Sequence, residues 1–456
     1  MSSDTIAAIA TAMSNAGIGI IRISGDEAVE AADRIFYAKN GQRLCDSPSH
    51  TIHYGYIQNG QEIVDEVLVM LMKAPNSYTR EDTVEINCHG GVLVMQRVLE
   101  TVLNSGVRLA EPGEFTKRAF LNGRIDLTQA ESVIDIINSK NDFALKSSMN
   151  QLRGSVLNKI RQLRESIIHE TAFIESAIDD PEHYSLDGYP EQLSGIVKHL
   201  KEEIQHLIQT SENGRILKEG IHTVIAGKPN VGKSSIMNTL AGSERAIVTD
   251  VAGTTRDILE EHINLKGLSL NIIDTAGIRE TNDIVEKIGV DKAKEYLDKA
   301  DLILYVTDAS VELSREDYEI ARMIRGRNVI AILNKSDLEQ KTGINELSEI
   351  SEHVISVSAK EGDGIEELAD LIRKMFLKGN ITYNDEVVIT NVRHKTALAE
   401  ALESLNLAEE SIENGMPEDF YSIDLMNAYE RLGYVIGEAV EDDLADQIFS
   451  KFCMGK

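Results

Sequence analysis

Residues 222–241 read HTVIAGKPNVGKSSIMNTLA, a stretch in which a strand pattern, a loop and a helix pattern follow one another. A run typical of a buried strand, 222–226, leads into the glycine-rich loop 227–234, and a run typical of a helix follows. The loop fits the P-loop pattern GxxxxGK[ST], in which backbone N–H groups surround phosphates. In that pattern Lys233 neutralises the β- and γ-phosphates and the Ser234 hydroxyl binds magnesium. The stretch therefore predicts a nucleotide-phosphate site at the end of a strand.

The strand pattern continues beyond the loop. Runs 302–306, 329–333 and 354–357 alternate with helical runs, which predicts a parallel, doubly wound sheet. Two further strand runs meet at Lys266-Gly267, which predicts a hairpin and one antiparallel strand at the sheet edge.

The base of the nucleotide is predicted from the sequence NKSD at 334–337. It directly follows a strand run, at the sheet edge where ligands bind. Asp337 can accept hydrogen bonds from guanine N1–H and the 2-amino group, and adenine does not present that pair, so we predict guanine specificity. The sequence SAK at 358–360, after the next strand, can offer a main-chain N–H to the base.

The γ-phosphate is predicted to contact the sequence DTAG at 274–277. Asp274 would hold magnesium through water, and the Gly277 N–H would sense the γ-phosphate. One of the threonines Thr254 and Thr255 would complete the magnesium shell in the triphosphate state. We assign magnesium to Ser234 and Thr255, and catalytic roles to Lys233 and Thr255. The predicted nucleotide-binding residues are Asn230, Val231, Gly232, Lys233, Ser234, Ser235, Thr249, Thr254, Thr255, Asp274, Thr275, Ala276, Gly277, Asn334, Lys335, Asp337, Ser358, Ala359 and Lys360.

The residue that orients the attacking water is not evident from these motifs. In Ras-type hydrolases a glutamine does this work and an arginine finger neutralises charge in the transition state. The residue after Gly277 is Ile278, which can do neither. Hydrolysis could instead use a nearby carboxylate (Glu280 or Glu286), Arg279 or a cation from solution. The alternative is an inefficient hydrolase that needs a partner.

Composition limits the class of protein. The 456 residues include 46 Lys and Arg against 75 Asp and Glu, a net charge of −29, which argues against nonspecific coating of nucleic acid. Apolar runs are far shorter than the ~18 residues of a membrane span, and the N-terminus lacks the basic region of a signal peptide. The three cysteines are far apart, which excludes a disulfide framework and favours the cytoplasm.

The regions on either side of the nucleotide-binding region have a different pattern of strand and helix runs. Residues 1–120 mix strand and helix runs and predict an N-terminal α+β domain. Residues 121–217 and 380–456 are helical, so an α/β domain at 218–379 looks inserted into a discontinuous helical domain. Apolar residues at spacings of three and four from Leu152 to Ile174 predict one long amphipathic helix. Thr128 and Glu131 predict a capping box before an earlier helix.

Together with these motifs, three further features make the chain resemble the MnmE (TrmE) family of bacterial tRNA-modifying GTPases. They are GIIRISG at 19–25, PGEF at 112–115 with AFLN at 119–122, and the ending CMGK at 453–456. The resemblance implies a Ras-like P-loop GTPase domain inserted in a helical domain, behind an N-terminal dimerisation domain that is similar to folate-binding proteins.

The resemblance also implies roles for individual residues. Glu286 matches the family's water-orienting acid and fills the place that Ile278 leaves open. A potassium ion that replaces the arginine finger is implied at Asn230, Thr249, Val251 and Thr254. Contacts to 5-formyl- or methylene-tetrahydrofolate are implied at Arg22, Glu85, Arg124 and Lys456, and Arg124 stands where the family carries lysine.

The function implied by the resemblance is addition of an aminomethyl or carboxymethylaminomethyl group at C5 of the wobble uridine, with a folate as one-carbon donor. The implied partners are tRNA, a second copy of the chain, and the flavoprotein MnmG, which supplies FAD in a heterotetramer. The alternative is a regulatory GTPase switch, for example in ribosome assembly, with no modification chemistry. The N-terminal region and the ending 453–456 favour the first.

Overall fold

The computed structural model describes most of the chain in two compact units. The described residues are 4–243, 260–265, 268–274, 296–376, 387–438, 446, 448–450, 452 and 455. Taken over these residues, the first unit comprises the ranges 1–137, 151–198 and 400–456, and the second comprises 138–150 and 199–399. None of the described helices is long and apolar enough to cross a bilayer. This division does not test the three predicted domain boundaries, which stay a prediction.

The first unit contains a seven-stranded sheet of order β3-β4-β5-β6-β2-β1-β7. All its neighbours are antiparallel except β1 and β7, which are parallel. The strands are β1 (Ile6–Ile9), β2 (Gly19–Ser24), β3 (Phe36–Ala38), β4 (Thr51–Asn59), β5 (Glu62–Met72), β6 (Thr83–Cys88) and β7 (Arg108–Leu109). Two helices, α1 (Ala28–Asp33) and α2 (Val92–Asn104), accompany them.

Buried and exposed side chains alternate along the strands of this sheet, so its two faces differ in burial. Ile21 of β2 and Ile86 of β6 are fully buried and share a core with Val98 of α2. The opposite face carries exposed apolar side chains, among them Ile52 and Leu68. One face therefore forms the core, and the other leaves these apolar side chains of β4 and β5 exposed.

Five helices follow the N-terminal sheet. They are α3 (Glu114–Leu121), α4 (Leu127–Ile137), α5 (Asp142–Leu152), α6 (Ser155–Asp179) and α7 (Tyr189–Glu219).

Two local predictions in this region are wrong. Leu152 ends α5 rather than starting the long helix, because Gly154 has a φ of +91°, a left-handed conformation that a right-handed helix cannot continue. The cap of α4 is Asp126, not Thr128. Asp126 Oδ1 accepts the N–H groups of Thr128 (2.7 Å) and Gln129 (3.3 Å). The Gln129 side chain in turn accepts the Asp126 N–H, which makes a capping box two residues earlier than predicted.

The second unit contains a six-stranded sheet of order β13-β12-β11-β8-β10-β9. Its strands are β8 (Ile221–Ala226), β9 (Glu260–Leu265), β10 (Leu268–Asp274), β11 (Leu302–Asp308), β12 (Val329–Asn334) and β13 (His353–Ser356). All pairs are parallel except β9 with β10, where Leu265 lies opposite Leu268 at the edge. The predicted parallel sheet with one antiparallel edge strand is confirmed.

Helices cover both faces of this sheet, which is why its central strands read as continuous apolar runs. The helices are α8 (Lys233–Ser243), α9 (Arg315–Ile324), α10 (Ile344–Leu347) and α11 (Ile365–Phe376). Ile225 packs with Ile236 of α8 and Leu368 of α11 on one face. Val224 packs with Ile324 of α9 on the other face.

Two further helices, α12 (Val392–Glu413) and α13 (Glu418–Ile436), come after this sheet. In the first unit α13 packs along α6, with Leu425 and Leu432 of α13 buried, as are Ile160 and Ile167 of α6. The left-handed Gly437 ends α13.

Candidate functional site: a P-loop and an arginine cluster

Two glycines give the P-loop its shape. Gly227 follows β8 with a φ of +148°, and a Cβ there would lie 2.3 Å from the carbonyl oxygen of Val306. Gly232 has a φ of +97°, and a Cβ would lie 2.2 Å from the Nδ2 of Asn334. Neither position has room for a side chain, so the loop can curl tightly into the N-terminus of α8.

Lys233 lies at the start of α8 with its ammonium turned back into the loop. Its Nζ donates to the carbonyl oxygens of Gly227 at 2.9 Å and Lys228 at 2.7 Å. The next two residues, Ser234 and Ser235, are exposed at the helix N-terminus. N–H groups at a helix start attract anions, and an ammonium beside them adds positive charge, so the loop suits the phosphates of a nucleotide.

Asn334 connects the P-loop to the loop that is predicted to contact the base. Its side chain is almost completely buried, and its Nδ2 donates to the carbonyl oxygen of Val231 at 2.8 Å. Its Oδ1 accepts the N–H of Ala359 at 3.2 Å. The Asn334 amide therefore connects the end of β12 with the P-loop and with the loop 358–360 at the carboxyl end of the sheet.

The predicted guanine-reading carboxylate is positioned by a hydroxyl. Ser358 Oγ donates to Asp337 Oδ1 at 2.8 Å. Lys335 has a φ of +62°, and its Nζ lies 3.1 Å from the carbonyl oxygen of Asn230 and 2.5 Å from Asp308 Oδ2. Burial raises the pKa of Asp308, but the hydrogen bonds from Lys335 and Ser310 outweigh it and lower the pKa overall.

The structure thus brings together most predicted nucleotide-binding residues from 230–235 and 334–360. Lys360 is exposed, and its Nζ donates to Glu361. Asp274 lies at the end of β10, beside Ile225 of β8. The predicted residues that lie outside the described part of the chain are Thr249, Val251, Thr254, Thr255, Thr275, Ala276, Gly277 and Glu286.

One contact in this site was missed by sequence reasoning. The hydroxyl of Thr239, in the second turn of α8, lies 2.9 Å from the carbonyl oxygen of Ala359 and 2.8 Å from that of Ser235, and it can donate to either. The contact fixes the loop 358–360 against the P-loop helix. No pattern in the sequence marks Thr239, because a threonine on a helix is common.

The first unit holds a second cluster, centred on Arg22. Arg22 and Glu85 face each other on β2 and β6, and the Arg22 Nε and one terminal nitrogen both lie 2.8 Å from Glu85 Oε1. The other terminal nitrogen donates to the carbonyl oxygen of Gly455 at 3.0 Å. Gly455 has a φ of +89° and lies against the end of β1, with its carbonyl oxygen at Arg22.

Tyr78 completes this cluster and was also missed. Its ring centre lies 5.6 Å from the Arg22 guanidinium carbon and 4.6 Å from that of Arg124. Its hydroxyl is 3.0 Å from that of Thr116. The structure therefore brings Arg22 and Arg124 together around one aromatic ring, with Glu85 paired to Arg22, while Lys456 lies outside the described residues. Tyr78 lies outside the strands, where no periodicity could single it out.

Comparison with known protein families identifies the chain. A family model described as the MnmE helical domain matches residues 127–453. A second, described as GTP-binding protein TrmE N-terminus, matches residues 5–124. The chain belongs to the MnmE family. Within MnmE, the order of an N-terminal domain, a helical domain and a P-loop sheet confirms the predicted fold class.

Relatives of similar length support the same assignment. A tRNA modification GTPase MnmE of Lachnoclostridium phytofermentans is 57% identical over 460 residues, covering 100% of both chains. The MnmE of Clostridioides difficile is 50% identical over 99% of both chains, and that of Listeria innocua 47% identical over 100% of both. As a member of MnmE, this chain is a GTPase.

Solved structures add a distant similarity. Era of Aquifex aeolicus, bound to GDP and AlF4−, is 29% identical and covers 41% of this chain and 67% of its own, with a TM-score of 0.29. A TM-score this low does not bear on the fold of MnmE.

Proposed function

We propose that this GTPase modifies tRNA: together with the flavoprotein MnmG, it adds an aminomethyl or carboxymethylaminomethyl group at C5 of the wobble uridine. The one-carbon unit would come from a tetrahydrofolate bound in the first unit. The observation that carries the proposal is that one MnmE chain holds both the P-loop site and the Arg22–Tyr78–Arg124 cluster. A regulatory switch needs the P-loop site but not the arginine cluster.

The P-loop residues suit GTP binding. The N–H groups at the start of α8 and the Lys233 ammonium would hold the β- and γ-phosphates. The exposed Ser234 hydroxyl would bind magnesium together with Thr255, and the metal would neutralise charge between the phosphates. Asp337, oriented by Ser358, would accept the two donors of guanine and leave its carboxylate unpaired with adenine.

Hydrolysis requires an oriented water and positive charge at the γ-phosphate. We assign the water to Glu286, with Lys233 and Thr255 as the other catalytic residues. Potassium held by Asn230, Thr249, Val251 and Thr254 would supply charge where negative charge develops in the transition state.

The arginine cluster suits a folate. A folate is a dianion with an aromatic pterin, and guanidinium groups bind carboxylates with paired hydrogen bonds. Arg124 is exposed and stacks on Tyr78, while Arg22 is fixed by Glu85. Arg22, Glu85, Arg124 and Lys456 would bind and orient the folate, whose bound form supplies the one-carbon unit.

The open face of the N-terminal sheet supports a homodimer. Ile52, Tyr54 and Leu68 are 64%, 47% and 47% exposed on this face. Met70, which pairs with Ile52, also pairs with Glu85, so the apolar surface and the arginine cluster share one face of the sheet. An apolar surface of this kind marks a protein interface.

The charge of the chain supports a partner at the tRNA. A net charge of −29 makes this subunit a poor sole ligand for a polyanion, so MnmG, with its FAD, would provide most of the tRNA contact in the heterotetramer. The cytoplasm, where tRNA is modified, is the proposed location.

The test is nucleoside analysis of tRNA from cells that lack this protein. We expect the modified wobble uridine to disappear and to return with the wild-type gene but not with Arg22→Ala. Arg97→Ala is the matched control, because Arg97 pairs with Glu62 on the surface of the same unit. Unchanged wobble nucleosides in the deletion strain would favour the regulatory switch instead.

Folate binding is tested separately on the purified protein. We expect 5-formyl-tetrahydrofolate to raise the melting temperature of the wild type and of Arg97→Ala, and to leave that of Arg22→Ala unchanged. An equal rise in all three proteins would remove Arg22 from the folate site.

A further inference from the structure

Lys228, the second residue of the P-loop, makes a contact that the roles assigned above do not use. Its Nζ lies 2.6 Å from Oδ2 of Asp317 and 3.0 Å from Oγ of Ser314. Ser314 is the N-cap of α9 and Asp317 is in its first turn. The lysine side chain is 20% exposed and the aspartate side chain 1%. A nearly buried ion pair therefore joins the P-loop to α9.

The carboxylate of Asp317 is held from several directions. Its Oδ2 also accepts the N–H of Ser314 at 2.7 Å and the Ser314 hydroxyl at 3.0 Å. Its Oδ1 lies 3.3 Å from the hydroxyl of Tyr305, a buried residue of β11. Burial raises the pKa of Asp317, but the hydrogen bonds from Lys228 and Ser314 outweigh it and keep the pKa below its ordinary value. The charge that Lys228 meets is thus rigidly placed and ionised at neutral pH.

The backbone of Lys228 acts on the P-loop itself. Its carbonyl oxygen, with that of Gly227, accepts the hydrogen bonds of the Lys233 ammonium. The side chain of Lys228 therefore pairs with Asp317, and its main-chain carbonyl contacts the Lys233 ammonium, which is proposed to hold the phosphates. If the side chain loses its anchor, the carbonyl that orients Lys233 loses its fixed position.

We propose that Lys228 is a positioning residue for nucleotide binding: paired with Asp317, it holds the P-loop backbone in the phosphate-binding conformation before the nucleotide arrives. A loop that is already ordered costs less conformational entropy on binding, so affinity rises without new ligand contacts. This inference rests on the proposed binding of GTP at the P-loop.

The proposal differs measurably from a role in stability alone. An ion pair that only stabilises the fold changes the melting temperature and leaves the affinity of the folded protein unchanged. A pair that orders the loop changes the affinity for GDP and GTP alike, because both contact the same loop. It leaves kcat at saturating GTP nearly unchanged, because the bound state is ordered by the nucleotide.

The test compares purified full-length variants by calorimetry with GDP and with a non-hydrolysable GTP analogue, and by steady-state hydrolysis. Lys228→Met keeps the alkyl chain and removes the ammonium. We expect both dissociation constants to rise about tenfold and kcat to stay within about twofold. Asp317→Asn should act in the same direction, and Lys228→Arg, which keeps the charge, should return the affinity to within about threefold of the wild type.

Arg315→Met is the matched control. Arg315 lies in the same turn of α9, and its ion pair with Glu319 is exposed and does not reach the P-loop. We expect wild-type affinities for this variant. All titrations are made well below the melting temperature of each protein.

Two outcomes would overturn the proposal. Wild-type affinities in Lys228→Met with a lowered melting temperature would overturn it in favour of stability alone. A fall in kcat with unchanged affinities would overturn it in favour of direct action in hydrolysis. Should Lys228→Met not fold, Asp317→Asn decides by the same criteria, because it keeps the side-chain volume and the Ser314 contacts. No binding of guanine nucleotide by the wild type would instead contradict the proposed GTP site.

Discussion

At the scale of single residues, the proposed preference for guanine depends on one carboxylate, that of Asp337. Ser358 holds Asp337, Asn334 holds the N–H of Ala359, and Thr239 holds the Ala359 carbonyl. Asp337 itself is exposed, and the Ser358 hydroxyl orients its carboxylate. We expect its selectivity to come from the energy of leaving a polar group unpaired.

Asp337→Asn tests this directly. We expect the affinity for GTP to fall about a hundredfold, because one acceptor becomes a donor that faces the guanine donors. Xanthosine triphosphate, which carries a carbonyl in place of the 2-amino group, should bind the variant better than GTP. Calorimetry with GTP, ATP and xanthosine triphosphate measures the change, and Glu361→Gln, a nearby exposed carboxylate, is the control. Unchanged preference for GTP over ATP would show that another group reads the base.

At the scale of elements, the sequence predicted what periodicity and spacing control. The parallel sheet and its antiparallel edge follow from apolar runs and a turn, and β8–β13 match them. The helix break at Gly154 and the N-cap at Asp126 were not predicted. Each depends on the local backbone conformation, and more than one residue in each segment could have ended or capped a helix. Tyr78 could not be found, because its role comes from arginines that are distant in sequence.

Helix α3 is anchored by charges that also make its stability depend on pH. Glu114 receives hydrogen bonds from Arg108 at 2.7 Å and Arg118 at 2.9 Å, and its side chain is 11% exposed. Burial raises the pKa of Glu114, but Arg108, the N–H of Glu111 and Arg118 outweigh it and lower the pKa overall. A lowered carboxyl pKa stabilises the folded state above the ordinary pKa, and this stabilisation is lost as the pH falls through the folded-state value.

Glu114→Gln should therefore lower the free energy of unfolding at pH 7 by about 2 kcal/mol. The difference from the wild type should shrink on acidification, as Glu114 becomes protonated in the wild type as well. Calorimetric melts of the full chain between pH 7 and pH 3 measure this. Glu111→Gln, an exposed neighbour, should melt like the wild type. A difference that stays constant with pH would mean that packing, not charge, anchors α3.

At the scale of the whole molecule, we propose that hydrolysis depends on a potassium ion in place of an arginine finger. We expect turnover at saturating GTP to be at least about tenfold faster in potassium chloride than in sodium chloride of equal ionic strength. Affinity for GDP should be similar in the two salts, since the proposed ion acts on the transition state. Phosphate release measures turnover, and rubidium, an ion of similar size to potassium, should substitute for it. Equal rates in potassium and sodium would exclude the proposed ion.

Assembly is the other property of the whole molecule, and the open face of the N-terminal sheet is where we expect it. Leu68 lies opposite Tyr54 on that face, and both are about half exposed. Leu68→Glu places a charge in the proposed interface, and desolvating an unpaired carboxylate there costs more than the lost apolar contact alone. Sedimentation equilibrium should show a dimer for the wild type and a monomer for the variant.

Leu93→Glu is the matched control for this change. Leu93 is 68% exposed on α2, and the core residues of that helix pack on the opposite face of the sheet. The control variant should remain dimeric, which separates the position of the charge from its mere presence. A dimer that survives Leu68→Glu and dissociates in Leu93→Glu would move the interface to the helical side. The apolar side chains on the open face would then need another partner.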